Sequence, residues 1–257
     1  MTTTAPRPRR SPRRRPRVRS VVAAIVAVLL LVVTGFAVYC NIVMPGDRAA
    51  ALRVWRDDRV RVQDAGDSVV MTPTASANGV GLVFIPGAKV DPYAYLSTFR
   101  DVVAGGTTVV ITKPTLNLAF FDTRPLSTFE RHAPGITTWA VGGHSLGGVR
   151  ACQLASTPGT SGLLLLGSYC VDDLSSSKVD VLSLSGTRDG LSTPADIRRY
   201  RSSLPASASM VAIPGASHAQ FGAYGKQPGD LAPTASRDEV DGVITDEVNR
   251  WVTQLGS

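Results

Sequence analysis

The chain has 257 residues, of which 44% are hydrophobic and 18% are charged, so it is long and apolar enough to form one large domain with a buried core. Its formal net charge of +7 does not indicate a fold that binds nucleic acid. Residues 1–20 contain eight Arg and no other charged residue, which leaves a net charge of −1 for the rest of the chain. We therefore expect no nucleic-acid partner.

The N-terminus combines a basic tail with an apolar segment. Residues 1–20 are mainly Arg, Pro, Ser and Thr, a composition that predicts a disordered tail. Residues 21–44 carry no charge and are long enough to form one transmembrane helix. Tyr39 is too bulky for the cleavage site of a signal peptide or lipoprotein at Cys40, so we expect an uncleaved anchor. Because Arg stays on the cytoplasmic side, we expect a single-pass membrane protein with its tail in the cytoplasm and its body outside.

The body of the chain alternates two kinds of apolar pattern. Residues 45–59 are predicted to be a connector with some helix, and residues 60–257 to form one α/β domain. Strands are predicted at residues 60–63, 68–72, 81–85, 107–111, 137–141, 162–166, 179–184 and 209–213. Helices are predicted at residues 91–103, 146–155, 194–204 and 237–255, the last one opened by a capping box at Ser236 and Glu239. Such alternation predicts a mostly parallel sheet with helices on both faces.

A Gly-x-Ser-x-Gly pattern follows the fifth predicted strand and precedes a helix. It reads Gly143-His144-Ser145-Leu146-Gly147. A serine at a sharp turn between strand and helix has strained dihedral angles, and glycine on either side makes room for the turn. The pattern therefore predicts that Ser145 is a nucleophile raised above the sheet, close to the N-terminus of the next helix.

A serine nucleophile needs a base, and the chain has only three histidines. His144 adjoins the serine in the turn and cannot face its hydroxyl well. His132 precedes a strand, which places it at the opposite edge of the sheet. His218 follows the last predicted strand, at the carboxyl edge where open α/β sheets form their sites, so we select His218 as the base.

An acidic residue should orient that imidazole. Asp189 follows the strand before the histidine strand, and the order Ser145, Asp189, His218 is the order of nucleophile, acid and base in α/β hydrolases. Asp172 and Asp173, which follow an earlier strand, are the rival acids. Any of these aspartates could instead be a turn residue.

Acyl transfer also needs donors for an oxyanion. We expect one to be the backbone N–H of Leu146 and the other the N–H of Ala88, where Gly87 lets the chain turn inward after a strand. Lys89 and Lys113 also follow strand ends, where they could attract an anionic substrate, but we expect both to be ordinary surface lysines.

These motifs together resemble the α/β-hydrolase superfamily, and most closely its family-5 group of compact bacterial hydrolases. The resemblance covers roughly residues 60–255 and is carried by residues 84–89, 91–95, 113–120, 142–148, 186–190 and 218–225. It implies an α/β-hydrolase fold with the triad already assigned, and it does not imply a particular substrate. The N-terminal anchor is an addition to the common core.

The expected function is that of a membrane-anchored serine hydrolase that cleaves an ester or related acyl bond of a small-molecule substrate, without metal or organic cofactor. Thioesters and amides stay open as substrates, and the alternative from another class is a catalytically silent binding protein of the same fold. Residues 167–178 are too short and polar to form a cap domain. We therefore expect a shallow acyl pocket that prefers short-chain soluble esters.

The cysteines have no metal-ligand spacing. Cys152 and Cys170 could pair in an oxidising compartment, but spacing alone cannot supply disulfide geometry. Our expectation is that both are buried free thiols.

Overall fold

The protein is described by a computed structural model over residues 18–256. It divides into two compact units, of which the first ends at Tyr39 and the second begins at Cys40. Helix α1, Val18–Asn41, accounts for the described part of the first unit, and its most apolar window has no buried residue. Length and composition suit a membrane span, and they suit a signal sequence equally. Of the tail predicted to be disordered, residues 18–20 are helical, and residues 1–17 lie outside the described part.

The second unit is built on an eight-stranded sheet. Its strands are β1 Val60–Asp64, β2 Ser68–Pro73, β3 Val80–Ile85, β4 Thr108–Thr112, β5 Thr138–His144, β6 Thr160–Leu166, β7 Asp180–Gly186 and β8 Ser209–Ile213. Their order in the sheet is β1-β2-β4-β3-β5-β6-β7-β8. The predicted β1–β2 hairpin is antiparallel, as is the β2–β4 pair, and all other pairs are parallel. The mostly parallel sheet is therefore confirmed.

Helices cover both faces of the sheet, which explains why its central strands are apolar throughout. The helices after α1 are α2 Arg48–Trp55, α3 Leu96–Ala104, α4 Ser127–Glu130, α5 Leu146–Ala155, α6 Pro194–Arg199 and α7 Arg237–Leu255. Within β3, Leu82 and Phe84 pack in one core with α3 and α7, whereas Val83 and Ile85 pack in a second core with α5. This alternation is the period of two that a strand imposes on its side chains.

The predicted elements agree with these bounds, except that the helix predicted over residues 194–204 ends at Arg199 and is followed by a separate 3₁₀ turn, Arg201–Ser203. Helices α5 and α7 and strand β8 have the predicted limits, and Ser236 and Glu239 form the predicted capping box of α7. The helix predicted over residues 91–103 instead begins with a 3₁₀ turn, Pro92–Tyr95, capped by Asp91, and continues as α3. Proline restricts the residue before it, which sharpens this start.

The segment predicted as a connector, residues 45–59, lies inside the second compact unit. Asp47 caps α2, which buries Ala50 and Val54, and Val54 belongs to the main core. Met44 also forms a parallel β-bridge with Val90. The prediction of some helix in the connector agrees with α2, but an eight-residue helix with only two buried positions leaves little periodic signal to indicate that it packs on the core.

The expectation of free thiols at Cys152 and Cys170 is wrong, because the structure joins these residues in a disulfide. Cys152 lies on α5, and Cys170 lies in the loop after β6, the strand that pairs with β5 beside α5. Their Cα atoms are 5.6 Å apart. This closeness arises from the packing of α5 against β6, which spacing along the chain does not reveal.

Candidate active site

Ser145 occupies the sharp turn between β5 and α5. Its φ of 53° and ψ of −124° are strained for a residue with a side chain. A β-carbon at Gly143 would overlap the backbone of Gly147, and one at Gly147 would overlap the carbonyl oxygen of Ile85. Only glycine fits at both positions, which agrees with the prediction that the two glycines make room for the turn. The side chain of Ser145 is half-buried, and Ser168 donates from its hydroxyl to the Ser145 carbonyl oxygen over 2.7 Å.

His218 and Asp189 form a buried hydrogen-bonded pair. The distance from Nδ1 of His218 to Oδ2 of Asp189 is 2.8 Å, and neither side chain is exposed. The other carboxylate oxygen of Asp189 accepts the backbone N–H groups of Leu191 and Ser192. An ionised carboxylate in this position holds Nδ1 protonated and leaves Nε2 as the free acceptor.

The rival acids lie elsewhere. Asp172 and Asp173 are both exposed, and Asp173 accepts the N–H of Ser175 as a turn residue. His132 is bonded over 2.7 Å to Asp67, which directly precedes β2 beside the carboxyl end of β4, so the expectation that His132 lies at the opposite edge of the sheet is wrong. Asp67 nevertheless engages Nε2 of His132, which is therefore not a free base. The structure thus brings His218 to Asp189 and to neither of the rival aspartates.

Asp230 connects the two loops that carry the acid and the histidine. One of its oxygens accepts the N–H of Gly190, and the other accepts the N–H of Ala219. Burial raises the pKa of the Asp230 carboxyl, but the hydrogen bonds from these N–H groups together lower it by more, so the pKa lies below its usual value. The sequence analysis missed Asp230 because it lies in a loop with no motif, and only the fold brings it between the other two.

His144 is a second buried histidine at the site. Its ring centroid lies 4.5 Å from that of His218, and its Nδ1 lies 2.9 Å from the hydroxyl of Tyr95. That hydroxyl accepts the N–H of Gly87, so its own proton is left to donate to Nδ1, which places the His144 proton on Nε2. Burial, followed by the nearby charge of His218, lowers the pKa of His144 well below its usual value. His144 therefore stays neutral.

Two nitrogen atoms at the site are buried without a hydrogen-bond partner in the described part of the chain. They are Nε2 of His218 and Nε2 of His144. Ser145 and His218 are thus not hydrogen bonded to each other in this structure, although Ser145 adjoins His144, whose ring contacts His218. A long or absent nucleophile–base bond is common in active sites without bound substrate.

The two expected oxyanion donors lie on neighbouring segments. Strands β3 and β5 are paired through Ile85 and Gly143, so the chain that continues from β3 to Ala88 runs beside the serine turn. Within residues 18–256, neither the Ala88 N–H nor the Leu146 N–H donates to a backbone acceptor. Both donors are therefore available to a bound group.

Backbone strain is concentrated around this site. In the described part of the chain, the non-glycine residues with positive φ are Lys89, Leu116, Asn117 and Ser145. Lys89 follows Ala88, and its N–H donates to the carbonyl oxygen of Asn117 over 2.8 Å. Such strain costs on the order of 1–3 kcal/mol per residue and clusters at functional sites. The expected surface lysine Lys113, in contrast, forms an ion pair with Asp64.

The profile of the alpha/beta hydrolase family matches residues 81–241, which is more than half of the chain. This protein belongs to the alpha/beta hydrolase family. The resemblance seen in the sequence motifs is thereby confirmed. The match runs from β3 into α7 and includes the serine turn and the buried pair of this hydrolase.

Three solved structures share the fold of this hydrolase. The esterase domain of a Rhodothermus marinus protein has a TM-score of 0.58 and 12% identity, and the match covers 77% of this chain and 100% of that one. A predicted CIB-like hydrolase from Thermoplasma acidophilum has a TM-score of 0.52 and 14% identity, with coverages of 74% and 99%. Thermogutta terrifontis esterase 2, phosphoramylated by tabun, has a TM-score of 0.53 and 12% identity, with coverages of 77% and 96%. Such low identities show the fold alone. A sequence comparison with curated proteins finds no match.

The hydrolase also has a cavity of about 920 Å³ behind the histidine loop. It is lined by residues of α2, α3, α7 and the loop before α7, with both acidic and basic side chains, and none of Ser145, Asp189 and His218 lines it. Among residues 18–256, no group of three or more His, Cys, Asp or Glu side chains is arranged to hold a metal ion.

Proposed function

We propose that this protein is a serine hydrolase that cleaves an ester through an acyl-serine intermediate. The observation that carries the proposal is the buried His218–Asp189 pair, because the ring of His218 packs against that of His144 in the strained turn of Ser145 and its Nε2 has no partner in the described part of the chain. Two of the structures that share the fold are named esterases, which favours an ester over an amide.

In the acylation step, Nε2 of His218 takes the hydroxyl proton while Oγ of Ser145 attacks the ester carbonyl carbon. The tetrahedral oxyanion accepts the N–H groups of Leu146 and Ala88. The bond to the alcohol oxygen then breaks, and the proton on His218 passes to the departing alcohol.

In deacylation, a water molecule loses a proton to Nε2 of His218 and attacks the acyl carbon. The bond to Oγ breaks, Ser145 regains the proton, and the carboxylic acid is released. Asp189 holds His218 in the tautomer that both steps need and stabilises its transient positive charge. Asp230 positions the two loops and does not touch the reacting atoms.

The second part of the proposal concerns location. Helix α1 serves as an uncleaved membrane anchor, with the Arg-rich tail in the cytoplasm and the hydrolase unit outside. The Cys152–Cys170 disulfide supports this orientation, because disulfides persist in oxidising compartments and are rare in the cytosol.

The test of the proposed chemistry compares two aspartate variants in labelling by a fluorophosphonate probe and in hydrolysis of a water-soluble acetate ester. Asp189→Asn should lower kcat on the order of 10³-fold or more, because the amide favours the wrong tautomer of His218. Asp173→Asn, in an exposed turn, is the control and should keep the wild-type rate. A wild-type protein that neither reacts with the probe nor hydrolyses esters would instead support a silent binding protein.

A further inference from the structure

We propose that the substrate is an acyl ester held in a lipid bilayer, and that its acyl chain lies on an exposed apolar surface around Ser145 rather than in a tunnel. This inference rests on the proposed function and specifies its substrate. The proposed substrate differs from the short-chain soluble esters that the sequence analysis predicts.

The first observation is the place where the hydrolase unit begins. Cys40, its first residue, is buried, and its carbonyl oxygen accepts the side-chain amide of Asn117 over 3.2 Å. The N–H of Met44 donates to the carbonyl oxygen of Lys89 over 2.7 Å, and the N–H of Asp91 donates to Met44. The segment from residue 40 to 44 is therefore bonded to the loop that carries the oxyanion donor Ala88.

This attachment places the start of the unit at the carboxyl edge of the sheet, beside the serine turn. Helix α1 ends at Asn41, and at about 1.5 Å per residue its 24 residues are long enough to cross the hydrocarbon layer. An anchor that ends within three residues of Met44 leaves no long linker. If α1 is the proposed anchor, this short connection tethers the active-site edge to the bilayer surface.

The second observation is a set of exposed apolar side chains, here called the rim, which lie in the segment of residues 40–44 or on loops that begin at the same edge: Ile42, Phe120, Phe121, Val171, Leu191 and Leu231. Phe120 and Phe121 follow β4, Val171 follows β6, Leu191 follows β7 and Leu231 follows β8. Phe120 is 77% exposed and Val171 is 58% exposed. Of the large apolar side chains exposed after Tyr39 in the described residues, only Leu52 and Trp55 on α2 lie outside the rim.

The exposed apolar side chains are thus concentrated on loops from four different strands that share one edge. Exposed apolar groups that cluster in this way mark an interaction surface. A bilayer is the occupant that the sequence itself indicates, because residues 40–44, which lie at the end of the membrane-length segment in the chain, are bonded at this edge. The 920 Å³ cavity contains none of the proposed triad, so it is not an acyl tunnel. An acyl chain that stays in the bilayer during the reaction needs no such tunnel.

The experiment uses the full-length protein reconstituted in phosphatidylcholine vesicles. The substrates are 4-methylumbelliferyl palmitate, which partitions into the bilayer, and the acetate of the same alcohol, which stays in water. Rates are expressed per site labelled by the fluorophosphonate probe, so a loss of folded protein does not affect them. The double variant Phe120→Ser/Val171→Ser is compared with Leu52→Ser/Trp55→Ser, a control pair of exposed apolar residues on α2.

The ratio of palmitate rate to acetate rate should fall at least about tenfold in the rim variant, because two large apolar contacts with lipid are lost. It should stay at the wild-type value in the α2 control. An unchanged ratio in the rim variant, or an equal fall in the control, would overturn the inference. A wild-type protein that does not hydrolyse the acetate at all would be a failure of the proposed function itself, so the two failures are distinguishable.

Discussion

The imidazole of His144 packs against that of His218 at a centroid distance of 4.5 Å, and the two rings are tilted by 43°. One of these histidines adjoins the serine in the chain, and the other follows the last strand. Tyr95 bonds to the first, and Asp189 bonds to the second. The site is therefore a pair of buried histidines, each held by a hydrogen bond to its Nδ1.

Tyr95 is predicted to position the oxyanion loop. Tyr95→Phe removes the acceptor for the buried N–H of Gly87 and the donor to His144, and an unsatisfied buried group costs about 1–3 kcal/mol. We expect kcat for an acetate ester to fall roughly tenfold while KM changes little, because the loop acts mainly in the transition state.

Tyr224→Phe is the matched control for this variant, since it removes another largely buried tyrosine hydroxyl, bonded to Gln227. Its kcat should remain near that of the wild type. A Tyr95→Phe enzyme with wild-type kcat would show that the bond to His144 has no part in positioning.

The buried neutral His144 should make the hydrolase unit less stable in mild acid. Its pKa is lowered in the folded state, first by burial and then by His218, so below about pH 6.5 the unfolded chain binds a proton that the folded chain does not. Stability contributed by this group is therefore present above that pH and is lost as the pH falls, at up to about 1.4 kcal/mol per pH unit.

The measurement is denaturant unfolding of the full chain in detergent between pH 7 and pH 5, followed by the fluorescence of the three tryptophans, which all lie after residue 40. His144→Gln should reduce the slope of unfolding free energy against pH, whatever its effect on stability at pH 7. If the variant and the wild type have parallel curves, His144 is not the group responsible.

The disulfide should contribute measurably to stability. It closes a loop with a sequence separation of 18 residues, for which chain entropy predicts about 3 kcal/mol. Reduction of the wild type should lower the denaturation midpoint, whereas the Cys152→Ala/Cys170→Ala variant should not respond to reductant. Cys40→Ala serves as the control that keeps the disulfide. Titration of three free thiols in the unreduced, unfolded protein would contradict the pairing.

The proposed orientation predicts that a protease added to intact cells degrades the hydrolase unit and leaves a short fragment that contains the Arg-rich tail. A cytoplasmic protein expressed in the same cells is the control for lysis. Should the unit be cleaved only after the cells are broken, the unit lies on the cytoplasmic side, and the disulfide would need another explanation.

Local patterns predicted those parts of the fold that depend on neighbours in sequence. The spacing of apolar residues predicted α7 to the residue, and the glycines at positions 143 and 147 predicted the serine turn because their reason is steric and local. The order of motifs along a parallel sheet predicted that Asp189 and His218 lie close together, since strands that run in the same direction end at the same edge, and the two side chains are hydrogen bonded.

The contacts that the sequence did not reveal join segments that are distant in the sequence and that no motif or periodic apolar pattern links. Tyr95 is hydrogen bonded to His144, 49 residues away in the sequence, and Asp230 accepts the N–H of Gly190, 40 residues away. The disulfide required the packing of α5 on β6, and the buried face of α2 was too short to give a periodic signal. These features follow from tertiary structure, and the sequence alone leaves them open.

The most direct test of the central claim is the identity of the residue that reacts with a fluorophosphonate probe. The wild-type protein and the Ser176→Ala control, an exposed loop serine, should be labelled equally, and mass spectrometry of the peptides should place the adduct on Ser145. Ser145→Ala should lose both labelling and acetate hydrolysis, by about 10³-fold or more, while it keeps the fluorescence and unfolding midpoint of the wild type. Retained hydrolysis in a folded Ser145→Ala protein, or an adduct on another residue, would contradict the assignment of Ser145 as the nucleophile.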